Sequence, residues 1–509
     1  MSQQQGPPPR KYQRLDTDEE IENLEDYEPG GYHPIDLCDV LDGRFEVIYK
    51  LGFGGIAMVW LCYEFDAERW RAVKINAASH SSENCAELKI LQTMRENNVT
   101  PEQLEAMHIV VPLETFWIDG PNGRHLCSVM PVLGPRLSKW REELGIDYDT
   151  IDKMSYQFTE GLSFLHKMGI AHGDFRPSNI LTRLKPHCLD NISVDEMKDL
   201  LDAPDFEEVL TVDGEQSVHA PQDAVTGVCW DRLKHLISDD IAIVDFGESY
   251  LFDNPPSTLG IPRVYGAPEI VFDGTPTVMS DIWSLAYTLM EFRLGHSFIP
   301  TISAIIWRME GFSGPVPAEY RPAAVRLIDE ARREPLQLHS GDDSTSGDQG
   351  LRPITENMES LNAMRKKSAE GTNYTCPLEI ALAARFWVTL PSSTEQDGQS
   401  QSGGSGYRRL PPQEVVLFAD LLRGMFKYNP EDRLSASQAL KHAWFRRKQE
   451  HQGNLVGQRL GSLRSTIVLG LSLSFPWLLW ILLKAYALNN PVYQDGTDVC
   501  IITAIDFFQ

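Results

Sequence analysis

At 509 residues the chain is long enough for one large two-lobed domain with appendages, or for roughly two to three ordinary domains, and its 42% apolar content excludes wholesale disorder. A formal charge of −26 argues against direct nucleic-acid binding, which needs a basic footprint, and is compatible with attracting a basic protein partner. The eight cysteines are scattered with no CxxC pair, and the first 30 residues hold no signal-peptide apolar core, so a reducing, cytoplasmic or nuclear setting is expected.

Residues 1–29 are polar and turn acidic from Asp16 onwards, and they are expected to form a disordered tail. Order is expected to begin at Gly30-Gly31-Tyr32-His33-Pro34, and Phe45 to Leu51 alternate as a strand should. Gly52 and Gly54 then let a hairpin close with its backbone N–H groups turned towards phosphate oxygens. Ala57 stands in the third glycine position of that pattern and is small enough to keep the approach close. Lys74 lies in the apolar strand Ala72-Val73-Lys74-Ile75, where an unpaired ammonium is costly. A helix over 83–94 offers Glu87 as its partner, with Glu83 as the alternative. Two further strands are expected at 109–118 and 126–134; the second runs through Met130, Pro131 and Val132 into a Gly-Pro break that suits a hinge.

A helix at 150–168 leads to His172-Gly173-Asp174-Phe175-Arg176-Pro177-Ser178-Asn179. An Asp and an Asn at this spacing, with a cation two residues after the Asp, suit phosphoryl transfer. The carboxylate orients a hydroxyl, the cation faces the phosphate, and the amide oxygen holds a metal. His172 reads as a brace of this loop, with Asp174 as the base. After an acidic insertion at 183–240, the β-branched run Ile241 to Val244 ends in Asp245-Phe246-Gly247, a second metal ligand. Ala267-Pro268-Glu269 and a helix opening at Asp281 follow, with helical patches at 321–333, 377–388 and 415–425 and a last helix ending near Phe445. Low-complexity stretches at 339–350 and 392–406 are expected to be flexible excursions within 339–406. A basic linker, 447–464, precedes 465–483, an uncharged run approaching the ~20 residues that cross a bilayer, with 484–509 as a short tail. Pro476 and three serines interrupt that run, yet a single span with the preceding domain facing the cytosol is expected.

With these motifs, the chain over about 42–446 resembles eukaryotic protein kinases, and more narrowly the SR-protein kinase family and its fungal relatives. The narrower likeness rests on Gly31-Tyr32-His33-Pro34, Asp42-Gly43-Arg44-Phe45, Val59-Trp60-Leu61, Val132-Leu133-Gly134 and the insertion after the catalytic loop. The resemblance implies an α+β, two-lobed kinase-like fold spanning 30–446, with a five-stranded N-lobe sheet and a helical C-lobe. It also implies an ATP- and Mg²⁺-dependent protein serine/threonine kinase whose substrates carry basic, Ser/Arg-rich segments. Leu51, Gly52, Gly54, Ala57, Val59, Ala72, Met130 and Val132 would enclose ATP, and Lys74 would contact its phosphates while pairing with Glu87. Asp174 would take the hydroxyl proton beside Arg176, Asn179 and Asp245 would hold Mg²⁺, and Glu269 would pair with Arg433. The alternative is a pseudokinase scaffold, against which the retention of Lys74, Glu87, Asp174, Asn179 and Asp245 argues. Three departures from the family stand out: Gly173 for the usual arginine, Arg176 for lysine, and Pro131 for an acidic hinge residue. Without that arginine, the segment 248–266 is expected to be ordered by packing of Ile261, Pro262, Val264 and Tyr265 rather than by a phosphate.

Overall fold

Phe45–Gly54 (β2), buried at Phe45 and continuously from Val47 to Lys50, pairs antiparallel with Ala57–Glu64 (β3), which in turn pairs with Arg69–Asn76 (β4). This computed structural model describes residues 10–17, 21–138, 148–272, 274–295, 301–333, 377–383, 386–389 and 405–447. The chain separates into two units, Met1–Phe445 and Arg446–Gln509, and the elements described below lie in the first. Val40–Leu41 (β1), Glu114–Gly120 (β5) and Gly123–Met130 (β6) complete a sheet with strand order β1-β2-β3-β4-β6-β5. The sixth strand, Val40–Leu41 (β1), exceeds the five expected. It is too short to carry a periodic signal. A tight turn at Asp42 and Gly43, both at positive φ (49° and 66°), folds it back onto Phe45.

One cluster of this lobe is completed by a segment expected to be disordered. Tyr12, Leu15, Ile21, Leu24 and Tyr27 are buried with Phe45, Met58, Trp60 and Val73. Between them Glu22 meets the Lys50 ammonium at 2.7 Å, both side chains being almost wholly enclosed. The acidic composition concealed enough apolar side chains to offset the ordering entropy, so 10–17 and 21–29 are folded structure.

The acidic insertion is also folded. Ser193 and Glu196 form a capping box on the helix Val194–Leu201, and Phe206–Glu208 pairs with Asp223–Val225. Met197, Leu201, Val228, Trp230 and Leu233 pack with Ile48, Tyr49, Leu61 and Trp70 of the sheet. The insertion therefore adds a layer to the N-lobe.

The second lobe is built on Tyr148–Lys167, whose Ile151, Met154, Phe158, Leu162 and Leu165 form one fully buried stripe. They meet Ser280–Leu294, a helix buried along its whole length. Two of its buried charged residues are partnered: Arg293 pairs with Glu414 at 2.6 Å, and Glu291 accepts from the Tyr265 hydroxyl at 2.6 Å.

Several boundaries depart from expectation. Helix α1 spans Ala86–Glu96, and the strand expected from 109 begins only at Glu114, beyond Pro112. Thr100 caps an unforeseen helix, Pro101–Ala106, through a Thr100/Gln103 capping box. The helix expected at 377–388 stops at Ala383, and Phe386–Thr389 instead pairs with Ser405–Arg408. The rest of the low-complexity insertions lies outside the described residues.

The expected membrane anchor and membrane localisation are corrected. Among the described residues no helix is long and apolar enough to cross a membrane, and 465–483 lies outside them. The longest described helix, Tyr148–Lys167, carries Asp149, Asp152, Lys153 and Glu160 along its length.

Candidate active site

The catalytic loop follows the two-residue strand Ile170–Ala171 and is anchored from below by one carboxylate. Asp281 accepts the backbone N–H of His172 at 2.7 Å and of Gly173 at 2.9 Å, and lies 3.0 Å from His166 Nε2. His172 Nδ1 accepts from the Asp174 N–H at 3.3 Å, which leaves Nε2 as the donor to the Val244 carbonyl at 3.1 Å. Its ring lies between Phe175 and Phe246. One imidazole thus ties the loop bearing Asp174 to the strand that ends at Asp245.

Register does the rest. Ile180–Leu184 and Ile237–Ile243 pair antiparallel with Ile180 opposite Ile243, so Asn179 and Val244 stand side by side, and the Val244 N–H donates to the Asn179 carbonyl at 3.0 Å. The insertion is a long excursion from this hairpin and does not disturb its base. Arg176 Nε donates to both Asp174 oxygens, at 3.0 and 2.9 Å. Asn179 Nδ2 donates to the Asp174 carbonyl at 2.8 Å and to Oδ2 at 2.7 Å. The amide nitrogen is thereby committed, which leaves Asn179 Oδ1 as a hard acceptor suited to a cation. Asp245 is held at φ 66°, a conformation rare outside glycine.

From the other lobe Lys74 reaches Asp245 Oδ1 at 2.9 Å and Glu87 Oε1 at 3.7 Å. Burial opposes the Lys74 charge, but Asp245 and Glu87 outweigh it and hold its pKa above the ordinary lysine value. Lys74 in turn holds the Asp245 carboxyl below its usual range against the cost of burial. Glu83 is exposed and faces Arg124 at 3.6 Å. The geometry therefore selects Glu87.

Cross-strand register places the expected nucleotide-binding residues together. Gly52 lies opposite Val59, Gly54 opposite Ala57, Val59 opposite Lys74, and Ala72 opposite Met130. Leu51 and Val132 are half-buried against the cluster shared with the insertion. Nothing lies within 4 Å of a Cβ position at Gly54, and only Arg136 Nη2, at 3.9 Å, approaches that of Gly52. Among the described residues no group of three or more His, Cys, Asp or Glu converges on a metal position. Asp245 and Asn179 would offer one carboxylate and one amide oxygen, a hard-oxygen donor set of the kind Mg²⁺ takes alongside phosphate oxygens and water.

Away from the cleft, Arg433 clamps Glu269 through Nη1–Oε1 at 2.7 Å and Nη2–Oε2 at 2.6 Å. Sequence reasoning missed Asp281 as the double backbone acceptor, Glu291 as the partner of Tyr265, and Tyr32 as a contact of the glycine hairpin. Of these, Tyr32 and Asp281 lay in stretches already singled out, though not for these contacts.

A family model described as a protein kinase domain matches residues 45–192. SRSF protein kinase 3 of Homo sapiens is 38% identical over 183 residues, 34% of this chain and 32% of that protein. Protein kinase dsk1 of Schizosaccharomyces pombe is 36% identical over 178 residues, 34% of this chain and 32% of that protein. The match therefore spans about a third of these relatives' length. The serine/threonine-protein kinase SRPK of Physarum polycephalum is 31% identical over 296 residues, 55% of this chain and 67% of that protein.

Proposed function

The chain belongs to the SR-protein-kinase group of eukaryotic protein kinases, and on that premise we propose that it phosphorylates Ser and Thr hydroxyls of proteins, using ATP and Mg²⁺, within Ser/Arg-rich segments. The observation that carries this reading is the convergence of Asp174, Asn179, Asp245, Lys74 and Glu87 from two lobes on one cleft.

Asp174 would accept the substrate hydroxyl's proton as the oxygen forms its bond to the γ-phosphorus and the bond to the ADP oxygen breaks. Its carboxylate is held by Arg176 and Asn179, so it enters the reaction already oriented. Arg176 also places a permanent positive charge beside the transferred group. Lys74, braced by Glu87, would hold the α/β-phosphates. Asn179 and Asp245 would hold Mg²⁺, which when bound neutralises phosphate charge. The pseudokinase alternative gains no support, because no member of the constellation is missing. The net charge of −26 supports a basic substrate through long-range attraction.

The test is phosphotransfer to a panel of Ser/Arg-rich, generic basic and acidic peptides. The reading expects kcat/KM to be highest for the Ser/Arg-rich peptide and to fall with ionic strength. Preference for the acidic peptide would overturn the substrate class.

A further inference from the structure

The glycine hairpin accepts a buried hydroxyl from outside the cleft at its Gly54 carbonyl. Tyr32 is 4% exposed, and its hydroxyl donates to the Gly54 carbonyl oxygen at 2.7 Å. The tyrosine itself is fixed at its backbone: its N–H donates to the Asp26 carbonyl at 3.1 Å, and its carbonyl accepts from Asn122 Nδ2 at 2.6 Å. The Tyr27 ring packs edge-on at 5.7 Å. Burial, with Asp26 and Glu22 nearby, pushes the Tyr32 hydroxyl pKa up to about 12, so it remains a donor at neutral pH.

The Gly54–Gly55 peptide is planar and trans, so its N–H points opposite to its C=O. A carbonyl held towards Tyr32 therefore turns the Gly55 N–H to the other side of the hairpin. That is the side of the cleft: Ile56 at the hairpin tip comes within 4.0 Å of a Cβ position at Gly247, beside Asp245. No side chain lies within 4 Å of a Cβ position at Gly54 or Gly55, so none competes to set this peptide. We propose that Tyr32 is a positioning residue for the nucleotide phosphates, locking the Gly54–Gly55 peptide so that the Gly55 N–H faces a phosphate oxygen. The proposal rests on the reading of the cleft as an ATP site.

The test uses the full chain and Tyr32→Phe, which keeps the ring and removes the hydroxyl. Binding of ATP and of adenosine is measured calorimetrically, alongside KM for ATP and kcat. ATP should bind about fivefold more weakly, the size of one hydrogen bond, with KM for ATP rising in parallel. Adenosine affinity and kcat should hold. Tyr27→Phe is the control, since that hydroxyl bonds Glu22 at 2.6 Å and Met58 Sδ at 3.4 Å but not the Gly54–Gly55 peptide. It should lower the melting temperature while leaving the ATP-to-adenosine ratio unchanged. Unchanged ATP affinity in Tyr32→Phe would overturn the proposal while leaving the ATP site intact. So would an equal loss for adenosine, or the same selective loss in Tyr27→Phe. A wild-type chain that bound neither ligand would overturn the reading of the cleft and the proposal with it.

Discussion

A Cβ at Gly173 would lie 2.1 Å from the carbonyl oxygen of Glu248, so the residue before Asp174 and the first residue after Asp245-Phe246-Gly247 touch backbone to backbone. Gly173 also sits at φ +83°, which side chains other than hydrogen tolerate poorly. Restoring the family's usual arginine should therefore damage the protein. Gly173→Arg is expected to lose at least about 2 kcal/mol of stability from backbone strain alone. Chemical denaturation and an initial-rate assay check this; a variant as stable and active as the parent would refute it.

The same contact bears on regulation. Glu248 accepts the Gly260 N–H at 2.9 Å, while Tyr265 is fixed through its hydroxyl to Glu291 and through its carbonyl to Ser284 at 2.9 Å. Val264 and Tyr265 are buried as expected, whereas Ile261 is half-buried and Pro262 exposed. Hydrogen bonds thus supply part of the order that packing alone was expected to give. Enzyme made in bacteria and treated with phosphatase should keep a near-undiminished initial rate. A collapse restored by phosphorylation at Ser257 or Thr258 would contradict this.

Glu22 and Lys50 make the N-terminal segment part of the kinase domain. Burial lowers the Lys50 pKa while Glu22 draws it back up. Glu22→Ala leaves a buried ammonium without its partner, at an expected cost of about 3–5 kcal/mol in urea denaturation. The double variant Glu22→Leu/Lys50→Met should recover most of that. A single variant within about 0.5 kcal/mol of the parent would show that the segment is not integral to the domain.

His33 packs edge-on against His125 with ring centroids 4.8 Å apart. Burial and the neighbouring ring lower its pKa from 6.5 to about 4, and burial lowers that of His125 as well. Folded His33 binds its proton less readily than unfolded His33. Its contribution is therefore full above pH 6.5 and is lost as pH falls towards 4. Denaturation midpoints should drop between pH 7 and 4.5, and His33→Phe should flatten that slope. An unchanged slope in the variant would count against the assignment.

The convergence of the loops bearing Asp174 and Asp245 was legible because phosphoryl transfer demands fixed residue types at short spacing, and register then brings Asn179 beside Val244 whatever the length of the insertion. Glu87 could be preferred over Glu83 because only Glu87 precedes the apolar Leu-x-Ile-Leu run, and α1 begins at Ala86, beyond Glu83. The N-terminal segment was misread because composition averages over a stretch, whereas burial depends on a few side chains such as Tyr12, Leu24 and Tyr27. Asp281 and Tyr32 were not legible as site residues. Their partners are backbone groups far away in sequence, and no local pattern encodes such a contact.

The central claim is tested most directly by Asp174→Ala assayed for phosphotransfer from labelled ATP to a Ser/Arg-rich peptide, with ATP affinity measured on the same preparation. Turnover should fall by about a hundred- to ten-thousandfold, the range of a lost general base, with ATP affinity largely intact. Unchanged phosphotransfer from the purified variant would contradict the assignment of this loop as catalytic.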